Sequence, residues 1–199
     1  MIAKRIFDLA CSLTGLVFLS PFFLIIAILI KQDSPGPVFF RQTRIGRGGE
    51  PFSIHKFRTM ETATSAGDLQ ITVGADPRIT RTGRWLRKYK LDELPQLIDV
   101  VQGSMSMVGP RPEVPAYVEH YPAELKEIVL SVRPGITDNA SIEYRDENAI
   151  LAESDNPERD YIEKILPVKL EYYRRYVLER SMPGDLAIIL RTLGAIIQS

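Results

Sequence analysis

Residues 6–30 read IFDLACSLTGLVFLSPFFLIIAILI, with Asp8 as the single charge. No other stretch restricts the fold of this chain as much. As one continuous helix the run would be ~37 Å long, against a bilayer hydrocarbon core of ~30 Å. Two features argue against a simple crossing. Pro21 lies inside the run, where proline removes a backbone hydrogen bond and bends or breaks a helix. Lys4 and Arg5 precede the run and Lys31, Arg41, Arg44 and Arg47 follow it, so both flanks favour the cytoplasmic side. A helix bent at Ser20-Pro21 meets both conditions. Its arms, ~20 and ~14 Å long, are each too short to cross, and the segment dips into one leaflet and returns. The Ser20 hydroxyl is placed to satisfy a carbonyl that Pro21 frees. A true span is the second reading and a buried core helix a third. A signal peptide is disfavoured, because the run is too long and no small-residue cleavage site follows it.

No second long apolar run follows Lys31. The expected organisation is therefore a membrane element, residues 1–31, and one globular unit, residues 32–199. Its fold class reads as α+β, mostly helical. A short β-hairpin is predicted from residues 38–41 and 52–57 around the glycine-rich GRGGEP. Residues 61–80 read as a polar loop. RWLRKYKLDELPQLIDVVQG (84–103) reads as helix, loop, helix, and SMSMVGPRPEVP (104–115) as a rigid connector. A helix is expected over 122–132. A Pro-Gly turn and an extended stretch should occupy 133–151, and a helix with a break or kink at Pro167 should occupy 156–180. Residues 182–198 form an amphipathic or apolar helix, to lie on a membrane surface or pack on the core.

The formal net charge is zero, so there is no global case for nucleic acid, and any anion binding must be local. Cys11 is the single cysteine and the two histidines are far apart, which gives no disulfide and no metal-ligand cluster. Five stretches nevertheless join Arg or Lys to glycine or proline or gather several cations: QTRIGRGG, KFRTM, RWLRKYKLDELPQL, VGPRPE and VRPGIT. Arginine forks suit phosphate oxygens, and stiff turns aim them at low entropic cost. The repetition suggests a substrate with more than one phosphate. No GxxxxGK[ST] loop is present. Among these cations stand Asp92 and Glu93, adjacent in sequence. A carboxylate so placed should have a lowered pKa and stay ionised, which suits a metal ligand or nucleophile better than a general acid. The plain alternative is a pair of first-turn helix acids bonded to Lys88 or Lys90, and spacing alone leans towards it.

SPGPVFFRQTRIG, KFRTM, LRKYKLDELPQLIDVVQGSMSMVGPRPE and RPGIT together resemble the monotopic bacterial phosphoglycosyl transferases. The resemblance covers about residues 1–180, and the chain's length is similar to the small catalytic-core form. It implies transfer of a sugar 1-phosphate from a UDP-sugar to undecaprenyl phosphate, with release of UMP, as the first membrane step of glycoconjugate biosynthesis. It implies Mg²⁺ as cofactor and a cytoplasmic catalytic domain on the bacterial inner membrane, held by a re-entrant helix whose break matches Ser20 and Pro21. The family's Asp-Glu dyad matches Asp92 and Glu93, with Asp92 as the nucleophile that becomes a covalent phospho-sugar and contacts Mg²⁺. Pro110-Arg111-Pro112 matches its Pro-Arg-Pro turn. Lys56, Arg58 and Arg87 carry over as phosphate or substrate contacts. The donor sugar and a homodimer stay open.

Two other readings compete. A glycosidase would place its carboxylates across the sugar, ~5 Å or more apart with one pKa raised, which adjacent residues suit poorly. A non-catalytic scaffold would bind anionic headgroups through its arginine turns.

Overall fold

The computed structural model describes residues 2–61 and 76–197. Most of the loop expected over 61–80, and Gln198 at the expected end of the last helix, lie outside them. The described elements are α1 (Ile2–Asp33), β1 (Phe39–Ile45), a 3-10 turn (Arg47–Gly49), β2 (Pro51–Phe57), α2 (Arg81–Lys88), a second 3-10 turn (Leu91–Glu93), α3 (Gln96–Gln102), β3 (Ser106–Val108), α4 (Pro115–Val118), α5 (Ala123–Leu130), β4 (Gly135–Thr137), α6 (Asn139–Glu143), α7 (Glu147–Ala152), α8 (Pro157–Asp160), a π turn (Tyr161–Ile165), α9 (Leu166–Glu179) and α10 (Met182–Ile197).

α1 is one helix of 32 residues with Pro21 inside it. The predicted break therefore leaves a single helical element, and one bond accounts for how proline is tolerated. Pro21 cannot donate to the Val17 carbonyl, and the Ser20 hydroxyl donates to that oxygen instead, at 2.8 Å. Both ends of α1 dock on the same globular body. Near its start, Arg5 donates to the Val100 and Val101 carbonyls at 2.7 and 3.2 Å and so caps the C-terminal end of α3. One turn on, buried Asp8 accepts from the Ser106 hydroxyl at 2.8 Å and the Met107 amide at 3.2 Å. Near its end, Ile26 and Ile30 pack with Phe57 and Leu86. Asp33 accepts from the Thr82 amide at 2.6 Å. The opposite face is apolar and uncovered, with Ile6, Val17, Phe18 and Leu24 each more than 60% exposed.

β1 and β2 form the predicted hairpin, antiparallel from Phe39↔Phe57 to Ile45↔Pro51. Gly48 and Gly49, at φ 73° and 83°, turn the chain where a side chain would be strained. The connector after α3 contributes a strand that the sequence did not announce. β3 pairs in parallel with β4, Ser106 opposite Gly135 and Val108 opposite Thr137. The two strands touch at glycines: a Cβ built on Gly135 would stand 2.0 Å from the Gly109 nitrogen. The extended stretch expected after Pro134-Gly135 ends at Thr137, because the Asp138 side chain accepts from the Ser141 amide at 3.0 Å and starts α6. The break near Pro167 is present as the π turn before α9, with the proline in the first turn of α9. The main core gathers Tyr117, Tyr161, Leu166, Leu170 and Tyr173 from α4, the π turn and α9. α10 packs Ile188 against Val108 and Tyr176 and leaves Leu186, Leu190 and Leu193 exposed.

Candidate active site

α2 begins at Thr80, whose hydroxyl accepts from the Gly83 amide at 3.0 Å, and ends as Tyr89 and Lys90 leave helical geometry. Lys90 is left-handed, φ 54° and ψ 23°, the one non-glycine of that kind among the described residues. This reversal throws the chain into the tight turn that carries Asp92 and Glu93. Pro95 then caps α3. On the next layer β2 presents adjacent residues to opposite faces, as a strand must. His55 faces α3, where Asp99 accepts from its ring Nδ1 at 2.7 Å and its amide at 2.8 Å. Arg41 bonds the other ring nitrogen. Lys56, one residue on, reaches the acidic turn.

Glu93 is gripped by two cations. Lys56 Nζ donates to Oε1 at 2.8 Å and Arg111 Nη1 to Oε2 at 2.9 Å, while Arg111 Nη2 also donates to Oε1. The guanidinium is thus a bidentate fork, held on its Pro-Arg-Pro turn by the β3–β4 pair and by Arg44, which donates to the Pro112 carbonyl at 3.0 Å. Burial alone would raise Glu93, but Arg111 and Lys56 overcome it and hold the carboxyl well below the usual range. Asp92 differs. It is buried, 9% exposed, and among the described residues no donor bonds its carboxylate. Burial and then the Glu93 charge push it up, against the pull of Lys56, Arg87 and Lys90. The sequence-based expectation of a lowered pKa therefore holds for Glu93 and is reversed for Asp92. The cations spend their strongest contacts on Glu93, and burial wins at Asp92. The expected helix-acid pairing with Lys88 or Lys90 gives way to Lys56 and Arg111, from elements distant in sequence.

Arg87 lies beside this turn, donating from Nε to the Thr59 hydroxyl at 2.9 Å, and its charge acts on Asp92. Arg58 is placed elsewhere. It is 3% exposed and its fork caps the C-terminal end of α1, donating to the Ser34 carbonyl at 2.7 Å and to the Pro35 carbonyl. Its partners are backbone oxygens, so the structure brings together Lys56, Arg87, Asp92, Glu93 and Arg111 and leaves Arg58 as an anchor of the C-terminal end of α1. Sequence reasoning passed over Arg44, Asp99 and Asp138 as site residues. Asp138 and Tyr173 act electrostatically on Arg111. Their signal was in hand only in part: QTRIGRGG and VRPGIT were read as cation turns, the second ending one residue before Asp138, and nothing in them names which neighbour they buttress.

Among the described residues no three His, Cys, Asp or Glu side chains converge as a metal cage. A Mg²⁺ ion shared with a diphosphate needs only one or two protein carboxylates. Asp92 fits that role: it is buried and unbonded, its pKa raised by burial and by the Glu93 charge, whereas both Glu93 oxygens are taken.

Residues 1–199 match the family described as bacterial sugar transferase. The chain is 36% identical over 196 residues to the UDP-glucose:undecaprenyl-phosphate glucose-1-phosphate transferase of Caulobacter vibrioides, covering 98% of this chain and 69% of that protein. It is 38% identical to the Escherichia coli protein of the same name, over 96% of this chain and 39% of the relative. It is 34% identical to the UDP-N-acetylgalactosamine-undecaprenyl-phosphate N-acetylgalactosaminephosphotransferase of Aeromonas hydrophila, over 98% of this chain and 43% of the relative. The chain thus spans well under half the length of the last two.

Proposed function

Because this chain belongs to the bacterial sugar transferase family, we propose that it transfers a sugar 1-phosphate from a UDP-sugar to undecaprenyl phosphate and releases UMP, opening the assembly of a glycoconjugate. The observation that carries the mechanism is the division of labour between neighbours: Glu93 saturated by Arg111 and Lys56, Asp92 unbonded beside it. Glu93 fixes the two cations at the edge of the acidic turn. Donor phosphate oxygens enter that field and share the Arg111 fork. Asp92 supplies the nucleophile. An Asp92 oxygen attacks the sugar-bearing phosphorus, an Oδ–P bond forms, and the bridging P–O bond breaks with its electrons leaving on UMP. An oxygen of undecaprenyl phosphate then attacks the same phosphorus, the new P–O bond forms, and Asp92 is regenerated as carboxylate. No net proton is needed. Asp92 would hold a Mg²⁺ ion, whose positive charge would reduce repulsion between carboxylate and phosphate.

The site is proposed to work on the cytoplasmic face of the inner membrane, with residues 1–31 inserted in one leaflet and 32–199 as the catalytic unit. Support for a one-sided course comes from the two ends of α1. Arg5 and Asp8 at one end and Ile30 and Asp33 at the other are bonded to or packed on the same body. A helix crossing a bilayer would carry one of these ends to the far side. The uncovered apolar face of α1 would then meet lipid.

The test is UMP release on addition of undecaprenyl phosphate to the protein, with UDP-glucose, UDP-N-acetylgalactosamine and related donors. Release with at least one donor, lost in Asp92→Asn, is expected. Release that survives Asp92→Asn would contradict the assignment.

A further inference from the structure

A cavity of about 260 Å³ opens at the N-terminal root of α1. None of Lys56, Arg87, Asp92, Glu93 and Arg111 lines it. Its wall carries five cations, Lys4, Arg5, Arg47, Arg133 and Arg180, against two carboxylates, Asp8 and Asp185. Both carboxylates are engaged within the protein. Asp8 holds the Ser106 hydroxyl and the Met107 amide, and Asp185 accepts from Lys4 Nζ at 2.6 Å and from the Tyr176 hydroxyl at 2.9 Å. The guanidiniums gain little from them. Arg5 is spent on the neutral Val100 and Val101 carbonyls, and Arg133 Nε donates to the Gly103 carbonyl at 2.7 Å. Among the described residues neither Arg47 nor Arg180 has an ion-pair partner.

Four guanidinium groups therefore border one cavity without a matching counter-charge. Gathering like charges costs free energy unless an anion joins them. At Arg133, burial and then the Arg5 and Arg47 charges push the guanidinium down, and the Asp8 charge acts the other way. Guanidinium forks match phosphate oxygens, and several converge here from α1, the β1–β2 loop, the loop before β4 and the end of α9. The volume lies just below that of drug-sized ligand pockets, ~300 Å³ and upward, which is room for a phosphate and a small polar substituent.

We propose that this cavity binds a phosphate-bearing anion at a site separate from the acidic turn. The chemistry is shared by a phosphodiester lipid headgroup and by free phosphate. The cavity's place at the root of α1, the helix with the uncovered apolar face, gives a headgroup direct access. The proposal does not depend on the transferase reading.

The test is calorimetric titration of the full chain in neutral detergent with short-chain phosphatidylglycerol, short-chain phosphatidylcholine and inorganic phosphate. Each titration is repeated on the Arg47→Gln/Arg180→Gln variant and on Arg133→Gln. Arg47 and Arg180 are exposed and unpaired, so the double variant should melt as the native protein does. Phosphatidylglycerol binding should weaken about fivefold for each arginine removed. Weakening confined to phosphatidylglycerol identifies a headgroup site. Weakening for inorganic phosphate as well identifies the phosphate itself as the recognised group. Identical binding of every anion by native protein and variants would overturn the proposal.

Discussion

Replacing Glu93 by Gln removes the charge that, after burial, does most to raise the Asp92 pKa, and it frees Lys56 and Arg111 to act on Asp92. Both changes lower the Asp92 pKa. Since attack needs the carboxylate, the acid limb of single-turnover UMP release should move to lower pH in Glu93→Gln, even if the maximum rate falls. A limb that stays put or moves to higher pH would contradict the coupling. The same substitution has a stability signature. Glu93 is depressed in the folded state, so its contribution is present above the unfolded pKa and is lost as pH falls through the folded one. Acid titration of the melting temperature should be shallower in Glu93→Gln. Arg111→Ala should weaken donor phosphate binding by roughly 1.5–3 kcal/mol, the worth of one charge-assisted contact. At this scale the sequence named residues that the structure brings together and missed their settings. The acidic pair, Lys56, Arg87 and Arg111 were readable as charge among stiff turns. The opposite shifts of Asp92 and Glu93 were not, because they depend on which carboxylate the cations reach and which is left to burial.

The elements that aim these residues are tied down at points a linear reading does not connect. Arg58 sits in KFRTM between strand and loop, so it reads as another phosphate ligand, while its carbonyl partners lie at residues 30–35. Arg58→Lys keeps the charge and loses the fork. It should destabilise the fold by about 1.5–3 kcal/mol through lost charged bonds, with donor KM little changed. A raised KM with native melting would restore Arg58 to the substrate site. The hairpin and the helices flanking the acidic turn were legible because periodicity and turn residues are local signals. The β3–β4 pair was not, since two three-residue strands carry no periodicity and meet through glycines. Gly135→Ala should cost about 1–3 kcal/mol or more, because its Cβ would displace the Gly109 backbone. It should also slow transfer by moving the adjoining Arg111 turn. A native urea midpoint would contradict this. In α1, the Ser20 bond to the Val17 carbonyl shows how the helix continues through Pro21.

For the whole molecule, the account places both ends of a 32-residue apolar helix on one side of the membrane. In a Cys11→Ser background, single cysteines at the exposed positions 2 and 32 should react with a membrane-impermeant maleimide from the same side of sealed vesicles. Reaction from opposite sides would establish a span and separate α1 from the body it packs on here. Substituting Pro21 by Leu tests whether proline sets that course, and an unchanged pattern would mean the docked ends set it. The central claim, that Asp92 is the nucleophile, is tested most directly by intact mass. The protein is mixed with a panel of UDP-sugars and Mg²⁺, without undecaprenyl phosphate, and UMP is assayed alongside. The account predicts a mass increase of one sugar phosphate with at least one donor, mapping to Asp92, with UMP released in equal amount. UMP that appears only once undecaprenyl phosphate is added, with no adduct at any time, would contradict it and replace the covalent step with direct attack by the lipid phosphate.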